Sequence, residues 1–225
     1  MIINANKISK SYGTGESGLQ VLKDFSLEVK KGEIVTISGQ SGCGKSTALN
    51  ILGTLDSPDS GKVIILDKDV QKLNESQLSY LRNTNIGFVF QFHHLLPDFS
   101  AFENVLIPTW IKNSQNMESY ALELFERLDL IDRVNHMPGE LSGGERSRVA
   151  LIRAIINKPA ILFADEPTGN LDEKNSIKLV DLLCHINRDF NQTIILTTHN
   201  PDVAAIGNKR FVLDKGLLKQ ESILI

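Results

Sequence analysis

Lys45, Ser46, Asp165, Glu166 and His199 are the residues of this chain whose types and placement could do chemistry together. Lys45 and Ser46 close the run Gly39–Thr47, where Gly39, Gln40, Ser41, Gly42, Cys43 and Gly44 precede the lysine and Thr47 follows the serine. An apolar segment, Ile34–Ser38, leads into the run, and a helical pattern, Ser46–Leu55, leads out of it. In that setting glycines let backbone N–H groups wrap phosphate oxygens, and the helix points its positive end at the same anion. Lys45 can then reach β- and γ-phosphates, and the Ser46 hydroxyl can ligate Mg²⁺. Every position from Gly39 to Thr47 is a candidate phosphate contact.

Asp165 ends the apolar run Ile161–Ala164, where it can reach a Mg²⁺ held at that loop, and Glu166 follows it. An acid beside a γ-phosphate can polarise an attacking water. Solvated loop acids explain charge after so apolar a run poorly. His199 follows the run Ile194–Thr198. A lone histidine means little; its place one strand past Asp165 gives it meaning. Between Gly39–Thr47 and Ile161–Ala164 lies Leu141-Ser-Gly-Gly-Glu145. Ser142 and Glu145 match a helix capping box, and Gly143 and Gly144 leave room for an anion to approach the N–H groups.

The elements that must position these residues are short. Ile34–Ser38, Val63–Leu66, Ile86–Phe90, Ile161–Ala164, Ile194–Thr198 and Arg210–Leu213 read as strands. Their consecutive apolar positions suit strands buried on both faces. Helical patterns between several of them predict an α/β fold with a mainly parallel sheet. Val149, Ile152, Ile155 and Ile156 line one helix face, and Ile177, Val180 and Cys184 line another within Glu173–Arg188. Ile2–Ile8 and Phe25–Val29 read as half-buried strands, and the chain end as a hairpin turning at Asp214–Gly216. Residues 91–156 show helical stretches, Glu118–Leu130 among them, and no clear strand.

A length of 225 residues suits one α/β domain. The net charge of −3 gives no basic excess for nucleic acid or an anionic membrane surface. Cys43 and Cys184 lack metal-ligand spacing and fit a reducing compartment. No secretory signal is visible, and no uncharged apolar run reaches the roughly 20 residues of a bilayer span. A second subunit must therefore supply any membrane attachment.

The order of these motifs resembles the ATP-binding cassette of ABC transporters over nearly the whole chain. The resemblance implies a P-loop NTPase (RecA-like) core with an antiparallel β region and a helical subdomain. It implies one ABC ATPase domain over residues 1–225, with residues 1–90 and 157–225 as core and β region and residues 91–156 as the helical subdomain. Glu166 corresponds to the catalytic glutamate and His199 to the histidine that contacts the γ-phosphate. Gln91 corresponds to the glutamine that senses Mg²⁺ and the attacking water. Tyr12 stands where family members stack an aromatic on adenine, and Gly169–Asp172 matches the loop that crosses the dimer interface. Ser142, Gly143 and Gly144 correspond to the segment that binds ATP held by a partner cassette. The family's usual fifth residue there is Gln, where this chain has Glu145.

Phe90–Phe99, with its His-His-Leu-Leu-Pro-Asp-Phe run, and Glu103-Asn-Val resemble the lipoprotein-releasing branch of these transporters. That implies ATP and Mg²⁺ as ligands, a head-to-tail pair with a second copy, LolC/LolE-like membrane permeases as partners, and a peripheral place on the cytoplasmic face of the inner membrane. Phe92, Leu95, Leu96, Phe99 and Phe102 form an apolar group that, in the family, grips the membrane subunit, though internal packing claims some of it. MacB-type exporters and FtsE-like regulators of cell-wall enzymes share the wider branch. A small-molecule P-loop kinase is a different class, opposed by Leu-Ser-Gly-Gly-Glu and His199. A soluble cassette of DNA repair or translation, opposed by the absence of a second cassette or long coiled coil, is another. A non-hydrolysing nucleotide-binding module is opposed by Glu166 and His199.

Overall fold

The computed structural model describes residues 1–13 and 18–221. Two sheets organise it. The first is antiparallel, in the order β2 (Leu19–Val29), β1 (Ile3–Tyr12), β4 (Ser60–Ile65), β5 (Lys68–Asp69). The second runs β10 (Leu217–Gln220), β9 (Lys209–Asp214), β3 (Ile34–Ser38), β8 (Thr193–Thr198), β7 (Ile161–Asp165), β6 (Ile86–Phe90). All neighbours in it are parallel except the β9–β10 hairpin at the edge. β8 is buried at every position and β3 and β7 at all but the last. Helices cover both faces, which is why these strands read as unbroken apolar runs.

Helix α1 (Lys45–Leu52) follows β3 directly. Helix α2 (Glu75–Asn85) buries only Leu81, and its Asn74–Gln77 capping box fixes its start. Between β6 and β7 lie α3 (Ala101–Lys112), α4 (Glu118–Arg127) and α5 (Gly143–Ile155), with two short 3₁₀ turns and no strand. Their apolar faces join Leu162, Ala164, Ile194 and Leu196 of the sheet in one continuous core. Helices α6 (Glu173–Phe190) and α7 (Pro201–Ala204) complete the set.

The face expected of α6 is corrected. Leu179, Leu183 and Ile186 are its buried residues, whereas Ile177 is 56% exposed and Val180 and Cys184 are half-buried. The helix carries two apolar stripes at similar spacing, and only packing against the sheet chooses between them.

Parallel pairing aligns the strand ends. Ser38 lies opposite Thr198, Thr197 opposite Asp165, and Asp165 opposite Phe90. The loops that begin at Gly39, His199, Glu166 and Gln91 therefore leave one edge side by side. Ligands of open α/β sheets bind at that carboxyl edge.

Candidate active site

The phosphate loop is shaped by its backbone. Gly44 has φ 106°, and a Cβ there would lie 2.8 Å from Val21 Cγ1. Helix α1 starts from this glycine with no side-chain cap and no acid in its first turn. Its first N–H groups and its dipole are therefore left for an external anion. Lys45 is 5% exposed and donates to the carbonyls of Gly39 at 2.9 Å and Gln40 at 3.1 Å.

The Lys45 Nζ also lies 3.1 Å from Oε1 of Glu166, the residue after the end of β7. His199 Nδ1 lies 2.6 Å from Glu166 Oε2. Glu166 adopts φ 44°, a conformation uncommon for non-glycine residues. Its N–H donates to the Thr197 carbonyl at 3.1 Å. Burial pushes the Glu166 carboxyl up, but Lys45 and His199 together outweigh it and hold the group below the ordinary carboxylate range. Glu166 is thus a carboxylate at neutral pH.

A cleft of about 670 Å³ opens over these groups. Tyr12, Val21, Ser41, Gly42, Gly44, Lys45, Ser46, Thr47, Gln91, Glu166 and His199 line it. Gly39 and Gln40 line an adjoining hollow, also with His199. Cys43 does not face either space; it is half-buried and packs against the core beneath the loop. Asp165 sits one residue behind Glu166, half-buried at the strand end. Gln91 and Asn170 hold each other, Asn170 Nδ2 donating to the Gln91 carbonyl at 3.0 Å. The Tyr12 hydroxyl donates to Asp56 at 2.8 Å, and the Lys10 ammonium stands 5.3 Å from its ring centre. Val21 lines the cleft, and Lys10, Asp56 and Asn170 touch the lining residues Tyr12 and Gln91; none of the four is in the expected set. Asn170 alone was visible within Gly169–Asp172.

Ser142, Gly143 and Gly144 lie elsewhere. They form the start of α5, where the Ser142 N–H donates to Glu145 Oε2 at 2.7 Å and the Ser142 hydroxyl accepts from the Glu145 N–H at 3.3 Å. Arg133 Nε donates to Glu145 Oε1 at 2.8 Å. The Ser142 N–H and hydroxyl, with Arg133 adding to them, lower the Glu145 carboxyl to about 2. An anionic residue at this fifth position thus has a built partner. Gly144 is pressed on α6: a Cβ there would lie 2.7 Å from Asn175 Oδ1.

The loop after Gln91 is fastened at both ends. His93 and His94 have φ 51° and 47°. Arg153 of α5 donates to their carbonyls at 2.6 and 2.7 Å. Buried His93 meets the Ser147 hydroxyl at 3.3 Å. Asn104 of α3, wholly buried, donates to the carbonyls of Leu96 and Phe99 and accepts from the Leu96 N–H. Of the apolar group expected here, Leu95 and Phe102 pack against the core. Phe92 and Leu96 are 72% and 44% exposed.

The aligned strand edge, the glycine-rich loop and the paired acids define a P-loop nucleotide-binding domain. Residues 22–169 match the ABC transporter family, and the chain belongs to it. It is 46% identical to the "Lipoprotein-releasing system ATP-binding protein LolD" of Cytophaga hutchinsonii over 96% of this chain and 98% of that one. The protein of the same name from Bacteroides thetaiotaomicron is 46% identical over 98% of this chain and all of its own length. Among solved structures, the dimeric bacterial ABC transporter cassette MJ0796 superposes with a TM-score of 0.92 at 38% identity over 99% of both chains. A dimeric post-hydrolysis state of that cassette, bound to ADP and Pi, matches at 0.91 and 37% over the same coverage.

Proposed function

We propose that this chain is the ATP-hydrolysing subunit of an exporter that releases lipoproteins from a bacterial inner membrane. The observation that carries the ATPase reading is the Lys45–Glu166–His199 constellation at the aligned strand ends. The naming of full-length relatives supports the lipoprotein reading.

ATP lies in the cleft with its phosphates on the Gly39–Thr47 loop and its base towards Tyr12. The γ-phosphate draws Lys45 to itself, which frees Glu166 Oε1 to accept a proton from the attacking water. His199, bonded to the other oxygen, fixes the direction of that carboxylate. The Ser46 hydroxyl, the Asp165 carboxylate and the Gln91 amide oxygen form an all-oxygen donor set suited to Mg²⁺, which would neutralise phosphate charge when bound. Ser142, Gly143 and Gly144 do not line their own chain's cleft, and in this reading they serve the ATP of a second copy arranged head-to-tail.

No helix among the described residues is long and apolar enough to cross a membrane. In this reading a LolC/LolE-like permease, in keeping with the names of the relatives, holds the chain at the cytoplasmic face. Its docking surface is a hollow of about 390 Å³ bordered by Leu55, Phe88, Phe90 and Ile111. Phe92 and Leu96 extend that surface along the neighbouring loop. Residues 91–156 act as the arm that carries this loop, and residues 1–90 and 157–225 as the body that holds nucleotide.

Reconstitution tests the proposal. The chain, joined with the permease proteins encoded beside it in proteoliposomes, should release an inserted lipoprotein on addition of ATP. Leu96→Ser should keep the melting temperature and basal ATPase while losing the permease, whereas Leu95→Ser should melt earlier. ATP hydrolysis without release, or unimpaired permease binding by Leu96→Ser and Phe92→Ser together, would count against it.

A further inference from the structure

Thr197 is the fifth residue of β8 and is wholly buried, after the apolar Ile194, Ile195 and Leu196. A valine would fill the same volume with no hydroxyl to satisfy. Thr36, buried on the next strand, gives its hydroxyl to the Ala204 carbonyl, a purely structural partner. Thr197 instead gives its hydroxyl to a carboxylate: Oγ1 donates to Asp165 Oδ1 at 2.6 Å. The same oxygen accepts from the Glu166 N–H at 3.3 Å.

One hydroxyl thus touches both acids of the site. It occupies one oxygen of Asp165, and among the described residues Oδ2 accepts no hydrogen bond. It also helps hold the Glu166 backbone at its positive φ, a conformation that persists only where neighbours fix it.

We infer that Thr197 is a positioning residue of the ATPase site, fixing the Asp165 carboxylate so that Oδ2 stays free for a cation, and holding the turn that aims Glu166. The inference rests on the reading of Asp165 as the cation-holding acid. Partners one step behind a metal ligand commonly matter about 10–100-fold in metal affinity or activity.

The test is Thr197→Val in the full chain. Mn²⁺ binding in the presence of ADP is followed by electron paramagnetic resonance, beside kcat, KM for ATP and the Mg²⁺ dependence of turnover. Mn²⁺ affinity and kcat should fall by about tenfold or more, while nucleotide affinity in EDTA stays at the wild-type value. Thr197→Ser should restore both. Wild-type Mn²⁺ affinity and kcat in Thr197→Val overturn the assignment. If Thr197→Val does not fold, Thr197→Ser and Thr197→Ala decide: a loss in Ala alone sustains the assignment, and equal affinities overturn it. Asp165→Asn separates the two readings. If it leaves Mn²⁺ affinity intact, the role of Asp165 fails; if it abolishes binding that Thr197→Val leaves untouched, only the role of Thr197 fails.

Discussion

Helices α1 and α5 both begin in glycine-rich segments, and they treat their first N–H groups in opposite ways. α1 starts from Gly44 with no side-chain cap and no acid in its first turn. α5 starts from Ser142 with a full capping box and with Glu145 in its first turn. The first helix leaves its positive end to an anion from outside. The second carries its own anion, holds it with Arg133, and leaves only part of its end open. On the proposed function, the difference separates a site that takes up and releases a charged ligand from a surface that keeps its own shape.

The largest effect that probes this contrast is on turnover. Glu166→Gln should slow hydrolysis by about a hundredfold or more while leaving the grip of α1 and Lys45 intact, so ATP-bound pairs should accumulate on gel filtration. Turnover near wild type would remove Glu166 from the chemistry. Next is Lys45→Ala, which should weaken ATP binding itself by about ten- to a hundredfold, as expected on losing a charge-assisted bond. Isothermal titration decides it, and undiminished affinity would mean that the backbone of α1 suffices.

Smaller effects belong to α5. Ser142→Ala should cost about 1 kcal/mol of stability through the lost cap, with ATP affinity of the isolated chain unchanged. Thermal melts and titration together would expose a direct role in the same chain's cleft. Smallest is Glu145→Gln, which keeps an oxygen for the cap and loses the charge paired with Arg133. Its cost should be at most about 1 kcal/mol at neutral pH. The Glu145 carboxyl is lowered in the fold, so its contribution is complete above pH 4.5, the ordinary value, and fades as pH falls towards 2. The gap in melting temperature between wild type and variant should shrink over that window. A gap that widens on acidification would mean that the carboxylate is not the stabilising form.

The parallel strands were legible because β3, β7 and β8 are buried on both faces and so carry unbroken apolar runs. The residues at their ends were legible because Lys45, Asp165, Glu166 and His199 interrupt that apolarity with charge or a titratable ring. Helix α2 leaves little mark in the sequence because it buries only Leu81 and has little periodicity to read. Its Asn74–Gln77 capping box was the signal available. The face of α6 is ambiguous in the sequence, which offers two stripes and no sheet to choose between them. Thr197, Arg153 and Asn104 were invisible in kind. Their partners Asp165 and His93 are distant in sequence, or, like the Phe99 carbonyl, are backbone atoms whose exposure no residue type encodes.

Arg153 gives α5 a mechanical property. The helix opens at Gly143 and meets the loop after Gln91 through Arg153, ten residues on. At 1.5 Å per residue the two attachments are roughly 15 Å apart on one rod. A helix without proline or an interior glycine beyond its first turn resists bending. Load placed on the His93 and His94 carbonyls is therefore delivered at the far end as rigid displacement of Gly143 and Gly144. Stiffness, rather than a hinge, sets how far the two ends can disagree.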